Sequence, residues 1–276
     1  MKLFAQDSYL DLSHPHVMGI LNVTPDSFSD GGKFNTMEKA IAHALQLVEE
    51  GADILDIGGE STRPGATPVP LDEELKRVIP VIEGLRDVGV PLSIDTYKPQ
   101  VMQAAITAGA DIVNDVCALR EPQALEIVAA SQAGVCLMHM QGRPQTMQAD
   151  PQYDDVVSEV RDFLKDRLNA AVQAGIDRSR IVLDPGFGFG KRTAHNLTLL
   201  NHLNDIQALG LPLLIGLSRK SVLGQVVGSS VDERVHASIA ASVVSVMKGA
   251  NIVRVHDVKP TIDALKIVQA VMNEKQ

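Results

Sequence analysis

The chain is short of aromatic residues and cysteines, and both shortages narrow the possible functions. It has no tryptophan, and aromatic residues make up 3% of its 276 residues. Proteins that stack nucleic-acid bases on aromatic side chains usually carry more of them. The cysteines are Cys117 and Cys136, fewer than a secreted disulfide scaffold would have. The composition therefore favours a globular protein of a reducing compartment, and we expect it to be cytoplasmic.

Positive charge and long apolar runs are also scarce. The formal net charge is -9 at pH 7, which disfavours non-specific binding to nucleic acid or to an anionic membrane surface. No apolar run approaches the roughly 20 residues that span a bilayer. Residues 1–16 lack the apolar core of a secretory signal peptide. We therefore expect small-molecule substrates, with neither nucleic acid nor membrane as a partner.

The chain does contain a regular alternation of short apolar runs and longer amphipathic segments. The runs are continuously apolar, as is typical of parallel strands buried on both faces. Amphipathic segments such as 36–51, 71–87 and 232–250 lie between them and predict helices. The eight predicted strands span residues 16–24, 52–61, 91–96, 111–116, 134–139, 181–186, 212–218 and 251–257.

A recurring junction joins these segments. The sequences EGADILDIG, AGADIVNDV and KGANIVRVH each place a glycine between a predicted helix and a predicted strand, where it can adopt a left-handed cap. Eight such units predict an α/β fold of the (β/α)8 TIM-barrel type. Without a linker or a break in composition, residues 1–276 are expected to form a single domain. An open doubly wound sheet is the alternative, but that fold does not need eight units.

Two connections are longer than simple connectors require. They span residues 25–35, after the first predicted strand, and residues 62–70, after the second. Both follow the C-terminal end of a strand, so on a barrel both overhang the face where active sites lie. Long loops in that position commonly act as lids.

Polar side chains gather at the C-terminal tips of the predicted strands. Burying polar groups is costly unless they find partners, and a ligand on that face of a barrel would explain the whole set. Asp56, Asp115 and Asp257 have an alternative role, since they could pair with other groups or cap the following helices. The remaining polar tips are Asn22, Glu60, Asp95, Asn114, His139, Asp184, Ser218, Arg254 and His256.

The chemistry of these tips indicates a kind of ligand. Asp95, Asn114 and Asp184 offer carboxylate and amide groups that suit the N–H donors and carbonyl of an amino-lactam heterocycle. Asn22 supplies a neutral oxygen that suits Mg²⁺ held mainly by water and phosphate. Nearby cations suit a phosphate group; they are Arg63, Lys220, Arg254 and His256. The set predicts a transfer reaction with a phosphate leaving group.

The segment LDPGFGFGKRT, residues 183–193, resembles a phosphate-binding loop, but its glycine spacing fits neither a P-loop nor a dinucleotide fingerprint. We expect the glycines to let backbone approach a ligand beside Asp184. Phe187 and Phe189 would offer that ligand apolar surface, with a place in the core as the alternative for each. His139 is expected to be a hydrogen-bonded core residue.

The segment GLSRKS places Lys220 and Ser221 directly after the seventh predicted strand. Barrels commonly bind phosphate or carboxylate groups there, at the start of the next helix. A nucleophilic role for Ser218 or Ser221 is disfavoured because the Gly-x-Ser-x-Gly elbow is absent from this segment.

Seven motifs, taken in order, resemble those of the dihydropteroate synthase family, and the resemblance runs from residue 17 to 258. It implies a pterin-binding barrel that condenses 6-hydroxymethyl-7,8-dihydropterin pyrophosphate with para-aminobenzoate. The products would be 7,8-dihydropteroate and pyrophosphate, formed by an SN1-like reaction in folate biosynthesis. The resemblance also implies a Mg²⁺ cofactor, a homodimer and a target of sulfonamides. The motifs are MGILNVTPDSFSDGGKF, DILDIGGESTRPGA, SIDT, VNDV, LDPGFGFGK, GLSRKS and RVHDV.

The same resemblance implies roles for individual residues. Those expected to hold the pterin are Asp95, Asn114, Asp184 and Lys220, with Met138 on the ring. Asn22 would bind Mg²⁺, and the pyrophosphate would contact Thr62, Arg254 and His256. The aminobenzoate pocket would be formed by Phe28, Asp30, Arg63, Pro64, Phe189, Lys220 and Ser221. The residues expected to be catalytic are Asp30, Arg63, Asp95 and Lys220.

Two other functions compete with this interpretation. A folate-using methyltransferase could bind a pterin on the same barrel, and a non-catalytic barrel could bind a pterin or phosphate without turnover. The methyltransferase would not need Lys220 or the Arg-Val-His segment at 254–256. The binding protein would not need the loop residues Asp30, Thr62 and Arg63. All of these are present, which favours the synthase.

Overall fold

The structure is a computed structural model, which describes residues 1–6, 8–24, 33–62, 65–143 and 146–273, with backbone alone for the first turn of one helix, 33–36. Its strands are β1 (Lys2–Ala5), β2 (Ser8–Asp11), β3 (His16–Asn22), β4 (Ile54–Gly58), β5 (Leu92–Asp95), β6 (Ile112–Asp115), β7 (Gly134–Met138), β8 (Ile181–Asp184), β9 (Leu214–Ile215) and β10 (Ile252–Val255).

Helices follow most of these strands. They are α1 (Lys33–Glu49), α2 (Leu71–Leu85), α3 (Pro99–Ala108), α4 (Ala124–Ala129), α5 (Val156–Gln173), α6 (Thr193–Asn201), α7 (Leu203–Gln207), α8 (Ser221–Val227), α9 (Val235–Met247) and α10 (Val258–Met272). Short 3-10 helices lie at Arg178–Arg180 and Val231–Glu233. No described helix is long and apolar enough to cross a membrane.

The strands β3 to β10 form one parallel sheet in the order β8-β7-β6-β5-β4-β3-β10-β9. The two ends of this order meet through a parallel bridge between Leu183 and Leu213. The Leu183 N–H donates to the Pro212 carbonyl at 2.9 Å. The sheet therefore closes on itself, and the predicted (β/α)8 barrel is confirmed. Each of the eight predicted apolar runs contains one barrel strand.

The strands of the barrel are apolar on both faces because both faces are covered. In β4, Leu55 and Ile57 belong to the large core between the strands and the surrounding helices. Ile54, on the opposite face of the same strand, belongs to a second cluster inside the barrel. Asp56 shares that inner face and is fully buried. Side chains alternate along a strand, so the inner face can change from apolar to polar towards its C-terminal end.

An N-terminal hairpin that the sequence analysis did not predict covers the other end of the barrel. Strands β1 and β2 pair in antiparallel fashion, and Leu3, Ala5, Leu10 and Leu12 point into the inner cluster. The barrel side of this cluster consists of Met18, Ile54, Ile112, Cys136, Val182, Leu214 and Ile252. The hairpin keeps water out of that end, which leaves the C-terminal end as the open one.

The predicted helix-to-strand junctions have the expected backbone. Gly51, Gly109 and Gly249 have φ values of 103°, 117° and 101°. Helix α3 ends with Gly109 as a left-handed cap, whose N–H donates to the Ala105 carbonyl at 3.0 Å. Residues with a side chain rarely adopt this conformation, so the glycines mark where a helix ends and the chain returns to the barrel.

Candidate active site

A cavity of about 570 Å³ opens at the C-terminal end of the barrel. It lies where the strand tips and the following loops meet, as expected for this fold. The predicted site residues that line it are Asn22, Thr62, Asp95, Phe189, Lys220, Ser221, Arg254 and His256.

A partly buried arginine connects the strand tips at the cavity. The guanidinium of Arg254, on β10, donates from Nε to Asp56 on β4 at 2.5 Å and from Nη2 to Asp95 on β5 at 2.7 Å. The same Asp56 oxygen accepts from the side-chain amide of Asn114, on β6, at 3.0 Å. Asp56 therefore organises the predicted pterin residues, a role that the sequence analysis did not assign to it.

Burial changes the acid–base properties of this group. It raises the pKa of Asp95 to about 7; Arg254 opposes the rise, and the charge of Asp56 adds to it. Burial alone would lower the pKa of Arg254, but the two carboxylates more than compensate and hold it above its usual value. The arginine thus stays charged, while Asp95 changes its charge close to neutral pH.

One oxygen of Asp95 remains available. Asp95 Oδ2 is bound by Arg254, whereas Oδ1 is buried and accepts no hydrogen bond from any part of the chain that the structure describes. The same holds for Oδ1 of Asp56. A buried carboxylate oxygen without a partner is unfavourable. A ligand that presents N–H groups to Asp95 would remove that cost.

The opposite wall of the site combines Asp184 with Lys220. Asp184 Oδ1 accepts from the Gly186 N–H at 2.7 Å. Burial raises the pKa of Asp184, and Lys220 most strongly opposes that rise. Burial lowers the pKa of Lys220 to about 8, opposed by Asp184. The Lys220 ammonium donates to the Phe187 carbonyl and lies 4.5 Å from the centre of the Phe189 ring.

The turn that presents Lys220 is held by its neighbours. Arg219 has a φ of 57°, an unfavourable value for a residue with a side chain. Its guanidinium donates to both carboxylate oxygens of Asp257, at 2.6 and 3.0 Å. Its backbone N–H donates to Ser238 Oγ at 2.9 Å. Helix α8 then starts at Ser221, so Asp257 stabilises the turn that places Lys220 and Ser221 in the cavity wall.

His256 is oriented by Ser218. Ser218 Oγ lies 3.0 Å from Nδ1 of His256 and accepts from the His256 backbone N–H at 3.1 Å. Both residues line the cavity. Ser218 therefore helps to position the imidazole.

Asp115 has the structural role considered above, because its carboxylate accepts from the N–H groups of Cys117 and Leu119, each at 2.7 Å.

The glycines of the segment after β8 have two different roles: some allow close contact with the protein's own backbone, and one lines the cavity. A Cβ atom on Gly186 would lie 1.8 Å from the His139 carbonyl oxygen, and one on Gly190 would lie 2.5 Å from the Gln141 carbonyl oxygen. These two glycines thus allow contact with the protein's own backbone, and they do not line the cavity as we had expected. Gly188 does line it, together with Phe189, whereas Phe187 is fully buried in the core.

Some predicted residues lie elsewhere. Asn114, Met138 and Asp184 are not among the residues that line the cavity and are buried, at 3–6% exposure. Met138 belongs to a small cluster against which Phe189 packs. The loop residues predicted to close the site lie outside the described residues and stay predictions; they are Phe28, Asp30, Arg63 and Pro64.

Sequence reasoning also missed the support of the second loop. The ammonium of Lys98 forms ion pairs with Glu60 and Glu74 and donates to the Val69 carbonyl at 2.7 Å. Glu60 also accepts from the Val69 N–H at 3.1 Å. These contacts tie the end of the loop to the barrel on the side where Thr62 lines the cavity. The signal available in the sequence was Lys98, which lies just after the motif SIDT and has no obvious ligand.

Asn22 fits the metal role expected of it in one respect. It lies at the end of β3, lines the cavity and offers one neutral oxygen. The described part of the chain brings together no group of three or more His, Cys, Asp or Glu side chains that could hold a metal ion. A cation here would take most of its ligands from water and a phosphate, which suits Mg²⁺.

The fold and this site define a barrel enzyme that binds a polar heterocycle beside an anionic group. Residues 18–256 match the family described as pterin binding enzyme. The dihydropteroate synthase of Escherichia coli (strain K12) is 52% identical over 277 residues, covering 100% of this chain and 98% of that relative. The chain belongs to the dihydropteroate synthases, a family of transferases.

Solved structures agree with this assignment. The Xanthomonas albilineans dihydropteroate synthase with 4-aminobenzoic acid has a TM-score of 0.93 and 55% identity, over 98% of both chains. The same enzyme in complex with 7,8-dihydropteroate has a TM-score of 0.90 and 52% identity, over 99% of both chains. The Yersinia pestis dihydropteroate synthase in complex with a sulfonamide drug has a TM-score of 0.94 and 50% identity, over 99% of this chain and 100% of that one.

Proposed function

We propose that this chain joins 6-hydroxymethyl-7,8-dihydropterin pyrophosphate to para-aminobenzoate and releases pyrophosphate and 7,8-dihydropteroate. The observation that carries the proposal is the buried Oδ1 of Asp95, which accepts no hydrogen bond among the described residues at the base of the cavity. The aminobenzoate and dihydropteroate complexes of the Xanthomonas albilineans relative support the same substrates.

The pterin would lie over the ends of β5, β6 and β8. Its amino-lactam edge presents N–H donors that suit the carboxylates of Asp95 and Asp184 and a carbonyl that suits the amide of Asn114. Lys220 would donate to a ring acceptor, and Met138 would pack against the ring. Ionised carboxylates accept these hydrogen bonds more strongly than neutral ones, so ligand binding favours the charged form of Asp95.

The aminobenzoate would lie beside the pterin, against Phe189, Lys220 and Ser221. These three residues line one side of the cavity. The Phe189 ring suits the benzene ring, and the ammonium of Lys220 with the hydroxyl of Ser221 suits the carboxylate. The loop residues predicted to close over this substrate are Phe28, Asp30, Arg63 and Pro64.

The pyrophosphate would lie near Thr62, Arg254 and His256. Arg254 uses two of its five N–H donors on Asp56 and Asp95, so further donors remain for an anion. Asn22 would contribute one oxygen to a Mg²⁺ ion. When bound with the substrate, that ion would neutralise charge on the leaving group.

The chemistry is a displacement at the methylene carbon of the pterin. The C–O bond to pyrophosphate breaks first, and the bonding electrons leave with the phosphate oxygen. The pterin delocalises the resulting positive charge, and the carboxylates of Asp30 and Asp95 stabilise it. The amine nitrogen of the aminobenzoate then forms the new C–N bond and loses a proton. Arg63 and Lys220 would hold the two substrates in reacting positions.

Pyrophosphate release by the purified protein tests this proposal. We expect sustained release with Mg²⁺, the pterin pyrophosphate and para-aminobenzoate together, and no sustained release when either substrate is omitted. Release that continues over many turnovers without para-aminobenzoate would indicate a hydrolase. Binding of the pterin without release would favour the non-catalytic barrel, and binding of methyltetrahydrofolate in place of the pterin would favour the methyltransferase.

We further propose that the enzyme is a cytoplasmic homodimer. Both cysteines are buried free thiols, which suits a reducing compartment. The adjacent helices α9 and α10 expose Val244, Met247, Ile267, Val271 and Met272, and apolar surface of this kind suits contact with a second copy. Light scattering tests the oligomeric state. The double variant Ile267→Glu plus Val271→Glu should be monomeric. Leu45→Glu, at an exposed residue of α1, is the control and should remain dimeric.

A further inference from the structure

The loop between β8 and α6 is held by side chains along its whole length. Each backbone carbonyl from residue 186 to 190 accepts a hydrogen bond from a side chain. The donors are Lys191 to Gly186 and to Phe189, Lys220 to Phe187, Gln148 to Gly188, and Tyr153 to Gly190. Of these donors, Lys191 is the one that holds two carbonyls.

Lys191 is a buried lysine for which the proposed reaction gives no role. Its ammonium lies 2.8 Å from the Gly186 carbonyl oxygen, 3.1 Å from the Phe189 carbonyl oxygen and 2.8 Å from Nδ1 of His139. A lysine ammonium has three donors, and these three partners use all of them. The side chain is 3% exposed. Burying an ammonium group is costly unless it has hydrogen-bond partners. The three contacts offset that cost and at the same time fix the loop.

His139 is suited to accept from this ammonium. Burial lowers the pKa of His139 to about 2, and the neighbouring Lys191 contributes to the decrease. The ring is therefore neutral, and one ring nitrogen can accept a hydrogen bond. The ring also packs edge-on against Phe163, with 4.8 Å between ring centres. Lys191 is therefore fixed from the strand side by a residue that is itself immobilised in the core.

The turn that Lys191 holds carries one wall of the cavity. The Phe189 N–H donates to the Gly186 carbonyl at 3.1 Å, so Lys191 bonds to the first and last carbonyl of the same four-residue turn. Phe189 lines the cavity beside Lys220. Asp184 contacts this turn through the Gly186 N–H, but its backbone is held in β8, where its carbonyl accepts from the His139 N–H at 2.9 Å.

We propose that Lys191 is a positioning residue for the second substrate, acting through the turn Gly186–Phe189 to hold the Phe189 ring against the aminobenzoate. The inference rests on the proposed function, since it assigns Phe189 to that substrate. It predicts an effect that differs between the two substrates. Loss of Lys191 disturbs the aminobenzoate side most, while the pterin residues on β5 and β6, which do not contact the turn, remain in place.

Steady-state kinetics with both substrates test the proposal. For Lys191→Met, we expect the KM for para-aminobenzoate to rise roughly tenfold, because the hydrogen bonds to the Gly186 and Phe189 carbonyls are lost. The KM for the pterin pyrophosphate should change by less than about threefold. Lys191→Gln retains an amide that donates to one carbonyl, and its KM for para-aminobenzoate should lie between the wild-type and Lys191→Met values.

Tyr153→Phe is the matched control. It removes the donor to Gly190, which lies outside the turn, and keeps an aromatic ring; its KM for para-aminobenzoate should stay within about twofold of wild type. Equal changes in both KM values for Lys191→Met, or none, would overturn the proposal. Failure of both Lys191 variants to fold would also overturn it, because the lysine would then support the barrel as a whole. Absence of dihydropteroate formation by the wild-type protein would instead contradict the proposed function.

Discussion

Arg254 and Asp95 form a hydrogen bond of 2.7 Å across the mouth of the barrel, although β3 and β4 separate their strands in the sheet. Asp56 binds the same guanidinium at 2.5 Å. The arginine thus links the carboxylate assigned to the pterin with the region assigned to the pyrophosphate. A change at any of these three residues should therefore affect both parts of the pterin substrate.

Asp56 offers the most direct test of this linkage. Asp56→Asn keeps the shape but removes the charge that faces Arg254, and it weakens the contact with Asn114. We expect kcat/KM for the pterin pyrophosphate to fall by roughly 10²-fold, because displacing the groups that position a substrate can cost about that much. Asp115→Asn, at another buried strand-end carboxylate, should have a much smaller effect on kcat/KM. Wild-type kinetics in Asp56→Asn would contradict the linkage.

The raised pKa of Asp95 predicts a pH dependence. Burial raises this pKa to about 7, and the pterin requires the ionised form, so kcat/KM for the pterin pyrophosphate should fall as the pH drops below about 7. The acid limb belongs to the free enzyme and reflects Asp95 together with its neighbours. The measurement is kcat/KM between about pH 5 and 8. A flat profile over that range would show that Asp95 does not titrate there.

The raised pKa of Asp95 also affects stability, but in the opposite direction: its contribution to stability decreases as the pH rises, whereas kcat/KM increases. The folded protein holds a proton on Asp95 that the unfolded chain releases near its ordinary pKa of 3.8. The contribution of Asp95 is therefore fully present below about pH 4 and is lost as the pH rises through about 7. Asp95→Asn should remove this pH dependence from the free energy of unfolding, as followed by urea titration at several pH values.

Lys220 should be required for turnover but not for folding. Its ammonium faces Asp184, the Phe187 carbonyl and the Phe189 ring, so Lys220→Ala removes a charge shared by both substrates. We expect kcat to fall by at least about 10³-fold, with an unchanged circular dichroism spectrum. Lys76→Ala, on the exposed side of α2, is the control and should keep wild-type activity. Normal turnover by a folded Lys220→Ala protein would refute the assignment.

Sulfonamides should compete with para-aminobenzoate. The Yersinia pestis relative binds a sulfonamide drug, and a sulfonamide resembles an aminobenzoate in shape and in its aromatic amine. Increasing para-aminobenzoate should therefore raise the apparent inhibition constant in proportion, whereas increasing pterin pyrophosphate should not. Inhibition that is independent of para-aminobenzoate would place the drug elsewhere.

The N-terminal hairpin should stabilise the barrel without taking part in the reaction. Leu3 is buried in the inner cluster, so Leu3→Ala should lower the free energy of unfolding by about 2–5 kcal/mol. Its neighbour Phe4 is 41% exposed, and Phe4→Ala should cost less than about 1.5 kcal/mol. Denaturant titration of both variants measures the difference. Equal losses would show that the hairpin does not seal the barrel through its buried face.

Much of the fold could be predicted because its signal is local. Strands covered on both faces are continuously apolar, and glycine caps such as Gly109 mark where helices end, so all eight barrel strands were recognised. The hairpin β1–β2 was missed because its strands mix exposed and buried residues and so lack the continuously apolar run that marked the barrel strands. The alternation in β1 and β2 can be interpreted only once the barrel is known, because Leu3 and Leu10 pack against the end of the barrel that the hairpin covers.

The composition of the site could also be predicted, but its internal pairing could not. A barrel brings all strand tips to one face, so Asp95, Lys220 and Arg254 were expected to meet. The choice of Asp56 as a partner of Arg254 depends on register and on the inner face of β4, which no spacing in the sequence specifies. Gly186 similarly meets the His139 carbonyl only through the packing of its loop against the end of β7.

The most direct test of the whole account is to identify the product. The purified protein would be incubated with Mg²⁺, 6-hydroxymethyl-7,8-dihydropterin pyrophosphate and para-aminobenzoate, and the mixture analysed by mass spectrometry alongside a pyrophosphate assay. The account predicts 7,8-dihydropteroate and pyrophosphate in equal amounts. Pyrophosphate without dihydropteroate, or neither product from a folded protein that binds the pterin, would contradict it.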